Sequence, residues 1–341
     1  MKLSIVIPNR NDTVMLAITV RSILEALKRI DNDGEIIIVD NSDEDIWDIL
    51  NTVNISPLPL WYVKNDIVRL IRQEFPSIYS ARETAIKNAK GEYIYNTDSH
   101  MLIGDNQLKD LVDFMDNRPE KCGFGFAPVG WVGAPEWLAR HDIRTDQTGL
   151  FGSWGRLYYK PTKICWNFGS CICDREWYLK EHGGLDFFAE KQVSWGGGEF
   201  YSAMKANLLG YENWAVPTSP QYHIGPFSKE VQSLGNTYRL YGKSGEGEVG
   251  LGIISAFYAL GGEEAKKECE KADSGLYDQY KIKTNTHWHK AKSFARETWN
   301  KNKNRFKLSL DEFIKRGDWE QSWKGWNPKK DWNNARNPQI G

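Results

Sequence analysis

Hydrophobic and polar positions along the first hundred residues follow two periods, one typical of buried strands and one typical of amphipathic helices. Short β-branched runs predict the strands, and apolar side chains repeated every three or four residues predict the helices. The predicted strands are residues 3–7, 36–39, 61–63 and 93–96, and the predicted helices are residues 12–30, 80–89 and, further along, 199–209. This order favours an α/β fold built on a Rossmann-like, mostly parallel, doubly wound sheet.

Polar residues follow three of these strands directly. They are Asn9, Arg10 and Asn11 after the first strand, Asp40 to Asp43 after the second, and Thr97, Asp98 and His100 after a later one. Ligands bind at the carboxyl ends of the strands in such sheets, so the sequence predicts one binding site at that edge. No GxGxxG motif follows the first strand and no GxxxxGKS/T motif occurs, which disfavours a dinucleotide site and a P-loop.

Asp98 and His100 are the residues in this group with the most specific chemistry. They lie two positions apart just after an apolar strand, so their side chains point to the same side of an extended backbone. A carboxylate and an imidazole suit Mn²⁺ or a similar divalent cation, which can bridge two phosphates and stabilise a departing diphosphate. Acidic residues at strand ends also serve as helix caps. The triplet Asp98-Ser99-His100 alone therefore leaves open whether this segment binds a metal or caps a helix.

Three segments, residues 5–9, 36–42 and 89–98, resemble GT-A glycosyltransferases in their order and spacing. In particular the chain is similar to the polypeptide N-acetylgalactosaminyltransferases, whose metal motif is also Asp-Ser-His. That family carries a Trp-Gly-Gly-Glu segment, which here has one extra glycine between Trp195 and Glu199. His223, between Tyr222 and Ile224, matches the family's later metal-ligand histidine.

The resemblance covers residues 1–240 and implies a GT-A fold, a nucleotide-sugar donor, by default UDP-linked, and Mn²⁺ or Mg²⁺ as the metal. The metal ligands that it implies are Asp98, His100 and His223, and the implied donor-binding residues are Pro8, Asn9, Arg10, Asn11, Asp40, Arg82, Thr97 and Asp98. Trp195, Glu199 and Arg82 are the implied catalytic residues of the sugar site. An aromatic face and a carboxylate suit the CH faces and the hydroxyls of a pyranose.

Each of these roles has a structural alternative. Asp40 could cap a helix, His223 could be an ordinary turn residue, and Glu199 could be a first-turn acid that the helix dipole favours. Phe200 stands where many inverting GT-A enzymes have an aspartate base. Either Glu199 takes the acceptor proton or the reaction retains configuration without such a base, and we favour retention.

Charged residues are distributed unevenly along the chain. Residues 281–341 hold 15 Lys+Arg against 6 Asp+Glu and six of the fifteen tryptophans, whereas the chain as a whole carries a net charge of −1. Cations interleaved with aromatic rings suit nucleic acid. The alternative is an amphipathic extension packed on the body. We predict a donor-binding half over residues 1–118, an acceptor half over 119–240, and a basic, Trp-rich, helical extension over 241–341.

The expected location is the cytoplasm, that of a bacterial host if the protein is viral. The apolar stretch at the N-terminus stops at Pro8, no run is long enough to span a membrane, and five cysteines indicate reduced thiols. The preferred acceptor is a 5-hydroxymethylpyrimidine in DNA, reached through residues 281–341, as in phage DNA-modifying glycosyltransferases. The alternatives are a protein Ser/Thr or glycan hydroxyl, and an inactive GT-A domain that only binds.

Overall fold

A central eight-stranded sheet with helices on both faces organises the chain in the computed structural model. The structure describes residues 1–43, 46, 67–74, 77–131, 134–139, 160–166, 170–190, 197–224, 252, 255–265 and 288–317. The strands are β1 (Leu3–Asn9), β2 (Gly34–Asp40), β3 (Val68–Arg72), β4 (Tyr93–Asn96), β5 (Met101–Leu102), β6 (Cys122–Phe126), β7 (Val129–Trp131), β8 (Ala134–Ala139), β9 (Thr162–Ile164), β10 (Cys171–Asp174), β11 (Glu212–Ala215) and β12 (Gln221–His223).

The large sheet has the order β3-β2-β1-β4-β10-β6-β11-β9. Its first four strands are parallel, as predicted, whereas β10 runs antiparallel to both β4 and β6. Strands from the predicted donor and acceptor halves therefore share one sheet. The predicted strand at residues 61–63 lies outside the described residues. A second, smaller sheet has the order β5-β12-β7-β8.

Helices cover the sheet on both faces. They are α1 (Thr13–Leu27), α2 (Ile78–Asn88), α3 (Gln107–Asp116), α4 (Gly198–Leu208), α5 (described over residues 255–265), α6 (Trp288–Asn302) and α7 (Leu310–Arg316). The alternation of β1 sends Leu3, Ile5 and Ile7 into the core under α1 and α3, and Val6 into the core under α2 and α4. Each face of the sheet thus has its own apolar layer.

The described part of the basic extension packs on the body. Ala295 of α6 and Leu310 and Phe313 of α7 are buried in the same core as α4. The side chain of Asn302 is fully buried and donates to Asp186 over 3.1 Å. Residues 288–317 therefore pack on the body, as the amphipathic-extension interpretation predicted. The boundary predicted between residues 240 and 241 and the last four tryptophans lie outside the described residues.

Two further expectations concern redox state and membranes. The described cysteines, Cys122, Cys165, Cys171 and Cys173, all carry free thiols. In the part of the chain that the structure describes, no helix has the length and apolar character that crossing a bilayer requires.

Candidate functional site

Three side chains that are candidate metal ligands meet where the two sheets join. Asp98 and His100 lie in the turn between β4 and β5, and His223 ends β12, which pairs antiparallel with β5. One ligand atom from each residue lies within 4.8 Å of the others. The backbone N–H of Ile224 donates to the carbonyl of His100 over 2.8 Å and fixes this arrangement. One carboxylate and two imidazoles form a donor set that fits Mn²⁺.

The two histidines of this cluster have opposite pKa shifts. Burial disfavours a charge on His100, but its hydrogen bond to Asp12 and the nearby Asp98 outweigh that effect, so the pKa of His100 is raised. Burial, together with the charge on His100, lowers the pKa of His223 to about 3. The two rings meet edge to face with centroids 4.4 Å apart. His223 is therefore a neutral imidazole at physiological pH, which is the form that binds metals.

Arg82 lies between two carboxylates next to the metal cluster. From α2 it donates to Asp98 over 2.8 Å and to Glu199 over 2.5 Å, and only 5% of its side chain is exposed. Burial alone raises the pKa of Asp98, but the adjacent Arg82 cation reverses this and the net pKa is lowered. The sequence placed Arg82 and Glu199 in one site, and the structure brings them together.

Glu199 lies in the first turn of α4, and both of its carboxylate oxygens are engaged. Oε1 accepts from Arg82, and Oε2 accepts from the hydroxyl of Tyr79 over 3.0 Å. The same hydroxyl accepts from the backbone N–H of Gly198 over 3.0 Å. A Cβ at Gly198 would come within 2.3 Å of the Tyr79 ring, so only glycine allows this close approach. Glu199 is more than a first-turn acid, because it is bonded to two side chains of α2.

A second polar cluster lies at the ends of β1 and β2. Asp40 is fully buried; its Oδ1 accepts from Asn9 over 2.8 Å and from the hydroxyl of Ser42 over 2.6 Å. Arg72, at the end of β3, pairs with the other oxygen. These partners account for the burial of the Asp40 carboxylate.

Arg10 and Asn11 extend this cluster toward solvent. Arg10 pairs with Asp43 over 3.2 Å. Asn11, which has a φ of 52°, donates to the Asp43 carboxylate over 2.7 Å and accepts from its backbone N–H over 2.9 Å. The turn after β1 is thus tied to the turn after β2 and forms a polar wall beside the metal cluster.

Sequence comparison decides the family. Residues 4–178, more than half of the chain, match the model of glycosyl transferase family 2. The chain belongs to glycosyl transferase family 2. The matched range includes Asp40, Arg82, Asp98 and His100, whereas Glu199 and His223 join the site through the geometry alone.

Solved structures are similar in fold to this family 2 chain. A GalNAc-T7 structure with UDP, GalNAc and Mn²⁺ aligns with a TM-score of 0.63 and 17% identity, over 93% of this chain and 56% of that chain. Residues 1–349 of TarS from S. aureus, in complex with UDP-GlcNAc, align with a TM-score of 0.50 and 13% identity, over 86% of this chain and 79% of that chain. The family 2 chain thus spans 56% of the length of the GalNAc-T7 chain. A search of curated proteins finds no match.

The remaining predicted residues differ in their placement within the family 2 fold. Pro8 and Thr97 are buried, and the Thr97 hydroxyl accepts from Ser170 over 2.8 Å. Their predicted part in donor binding stays a prediction. Trp195 lies outside the described residues, so its predicted place in the sugar site stays a prediction.

Tyr79, Asp12 and Arg72 are site residues that sequence reasoning missed. Tyr79 precedes the predicted start of its helix, yet it lies three residues before Arg82, which is the spacing of neighbours on one helix face. Asp12 and Arg72 both form ion pairs with predicted site residues, namely His100 and Asp40.

Proposed function

We propose that this chain transfers a sugar from a UDP-linked sugar to a hydroxyl acceptor, with Mn²⁺ or Mg²⁺ held by Asp98, His100 and His223. The observation that carries the proposal is the convergence of these three ligands within 4.8 Å at the carboxyl edge of a family 2 sheet. The structural neighbours hold UDP with Mn²⁺ in one case and UDP-GlcNAc in the other, which supports a UDP-linked donor.

The bound metal would neutralise charge on the diphosphate as it leaves. Arg82 holds Asp98 and Glu199 in fixed positions and supplies a permanent cation beside the ligand carboxylate. Asn9 and Asp40 form the wall where we place the nucleoside. Glu199 holds the Arg82 guanidinium and the Tyr79 hydroxyl beside the place where we put the donor sugar.

Retention of configuration is the outcome that the site favours. A general base must be free to accept a proton from the acceptor. Glu199 is already bonded to the Arg82 guanidinium and to the Tyr79 hydroxyl. Phe200, which stands at the position of the usual base, is 2% exposed and packs against Trp166 and Phe257.

For the acceptor we propose a 5-hydroxymethylpyrimidine in DNA. Residues 288–307 hold seven Lys or Arg and one Glu, and Arg296, Lys303 and Lys307 are exposed. Cations of this kind neutralise the phosphates of a duplex. The location in the cytoplasm expected from the sequence remains a prediction that agrees with this acceptor.

The position of residues 288–307 relative to the site also suits a DNA acceptor. The backbone N–H of Lys307 donates to the carbonyl of Leu208, the last residue of α4, over 2.8 Å. The first turn of α4 carries Glu199, and a helix of this length spans about 16 Å. Lys307 therefore lies about one length of α4 from Glu199, and the target base of a duplex bound at Lys307 would have to flip out to react.

Donor hydrolysis tests the proposed function. The protein is incubated with Mn²⁺ and a panel of UDP-sugars, with and without DNA that contains hydroxymethylpyrimidine. We expect Mn²⁺-dependent release of UDP from one donor, accelerated by the DNA, and loss of this activity in Asp98→Ala. The matched control is Asp113→Ala, an exposed acid on α3 that should leave turnover unchanged.

The other outcomes separate the alternatives. Hydrolysis that is indifferent to DNA would replace the DNA acceptor by a protein or glycan hydroxyl. No turnover of any donor would overturn the enzyme and favour a binding module. Turnover without metal, or in Asp98→Ala, would contradict the role given to the metal cluster.

A further inference from the structure

A buried carboxylate lies directly behind the candidate metal cluster. Oδ2 of Asp12 is 2.8 Å from Nδ1 of His100, and it accepts from the hydroxyl of Ser99 over 3.3 Å. Asp12 is 2% exposed, and among the described residues its second oxygen has no hydrogen-bond partner. A carboxylate is expensive to bury, so its position calls for a role that offsets the lost hydration.

Helix capping is the ordinary role for an aspartate at this position, and the structure does not use it. Asp12 is the N-cap residue of α1, where the side chain of an aspartate usually accepts from a backbone N–H in the first turn. In this structure the side chain makes no capping hydrogen bond. The carboxylate is instead turned toward His100.

Asp12 occupies the Nδ1 side of the His100 ring, which leaves Nε2 for a metal. The two nitrogens of an imidazole point in different directions, and Asp12 faces Nδ1. A metal bound through the other nitrogen, Nε2, would therefore lie on the far side of the ring from the carboxylate. Metal-binding histidines commonly donate their second N–H to a carboxylate, which sets the tautomer and the ring orientation.

We propose that Asp12 is a positioning residue that fixes the tautomer of His100, with the proton on Nδ1 and with Nε2 free to bind the metal. The proposal rests on the metal-dependent function proposed above. Because the His100 ring lies edge to face against His223 at 4.4 Å, holding one imidazole also restricts the other. Asp12 thus acts on two of the three ligands while touching neither the metal nor the donor.

Asp12→Asn is the variant that tests this role, because it keeps the size of the side chain and removes its charge. The matched control is Thr19→Val. Thr19 is also fully buried and holds the same turn, since its hydroxyl donates to the carbonyl of Ser99 and accepts from the N–H of Met101, both over 2.8 Å. Thr19 supports the turn without a described contact to the imidazole ring.

Two measurements separate positioning from structural support. Titration of Mn²⁺, followed by electron paramagnetic resonance, should show affinity lowered about 10- to 100-fold in Asp12→Asn and within about threefold of the wild type in Thr19→Val. Nitrogen-15 NMR of the histidines in metal-free protein, at a pH where the ring is neutral, should show the His100 proton on Nδ1 in the wild type and in Thr19→Val. In Asp12→Asn that preference should be lost.

Unchanged Mn²⁺ affinity and tautomer in Asp12→Asn would overturn the positioning role while the proposed function stands. Equal loss of affinity in both variants, with an unchanged tautomer, would reduce Asp12 to a support of the turn. If the wild-type protein bound no Mn²⁺, the metal-dependent function and the role of Asp12 would fail together.

Discussion

At the scale of single residues, Arg82 is the side chain that joins the metal ligand Asp98 to Glu199. Its guanidinium donates to Asp98 and to Glu199 at the same time, which a lysine ammonium on a flexible stem cannot reproduce with the same geometry. We expect Arg82→Lys to lower the turnover of donor hydrolysis on the order of 100-fold while the protein stays folded. Steady-state kinetics and thermal unfolding of the variant measure the two effects.

Arg69→Lys is the matched control for this prediction. Arg69 pairs with the buried Glu35 over 3.1 Å, away from the metal cluster. Its replacement should leave turnover within about twofold of the wild type. If Arg82→Lys retained full turnover, the assignment of Arg82 to the donor site would be wrong.

The sequence predicted the ligands at single-residue level better than it predicted their supports. Asp98 and His100 were identified from strand-end spacing, whereas His223 was inferred from a family resemblance because 122 intervening residues separate it from His100. Asp12 has the sequence pattern of a helix cap, and only the structure shows that its side chain faces an imidazole. Pairing of this kind is set by tertiary contact, which local pattern does not encode.

At the scale of elements, the turn Tyr178–His182, which packs against α4, makes the free energy of unfolding depend on pH. His182 ends the π-helical turn Tyr178–His182 and lies 3.0 Å from the carbonyl of Ser202 in α4. Burial, together with the nearby Lys205 cation, lowers the pKa of His182 to about 3. Below its ordinary value of about 6.5 the unfolded chain takes up a proton that the folded chain does not. The free energy of unfolding therefore keeps the full contribution of neutral, buried His182 above pH 6.5. That contribution declines as the pH falls toward 3.

Urea unfolding between pH 7 and pH 4 measures this effect. The His182 contribution should fall by about 1.4 kcal/mol per pH unit in this window, as one proton per molecule requires. His182→Gln should give a shallower pH profile, and the difference between the two proteins cancels the groups that they share. Parallel profiles would show that His182 is protonated in the folded state.

The elements that the sequence predicted are helices with a periodic apolar pattern and strands with a short apolar run. Strands β1, β2 and β4 and helices α1, α2 and α4 form within a few residues of the predicted bounds. The two strands that bring His223 to the metal cluster, β5 and β12, contain two and three residues and are too short to show a period. The antiparallel insertion of β10 depends on pairing between distant segments, which the sequence pattern does not specify.

At the scale of the whole molecule, some polar residues of the basic extension contact the body, whereas other cations of the extension face solvent. Asn302 and Lys301 contact the buried Asp186, whereas Arg296 and Lys303 face outward. We expect the double variant Arg296→Ala, Lys303→Ala to weaken DNA binding and to reduce the slope of log affinity against log salt by about 2. Fluorescence anisotropy at several salt concentrations measures both quantities.

Lys28→Ala, Arg29→Ala is the control for this prediction. These two exposed cations follow α1, which belongs to the apolar core on the other face of the sheet. Their removal should leave the salt slope unchanged. Equal effects of the two double variants would indicate non-specific attraction, and no effect of either would remove residues 288–307 from the proposed DNA surface.

The pairing of β12 with β5 links metal binding to the correct pairing of these two strands. Successive residues of a strand face opposite sides, so a slip of one residue in β12 would turn His223 away and present Tyr222 in its place. A register error in this short strand is thus an error in metal binding, and the ion would stabilise only the correctly paired chain. Besides its role as a cofactor, the cation would therefore select the correct register of β12 against β5.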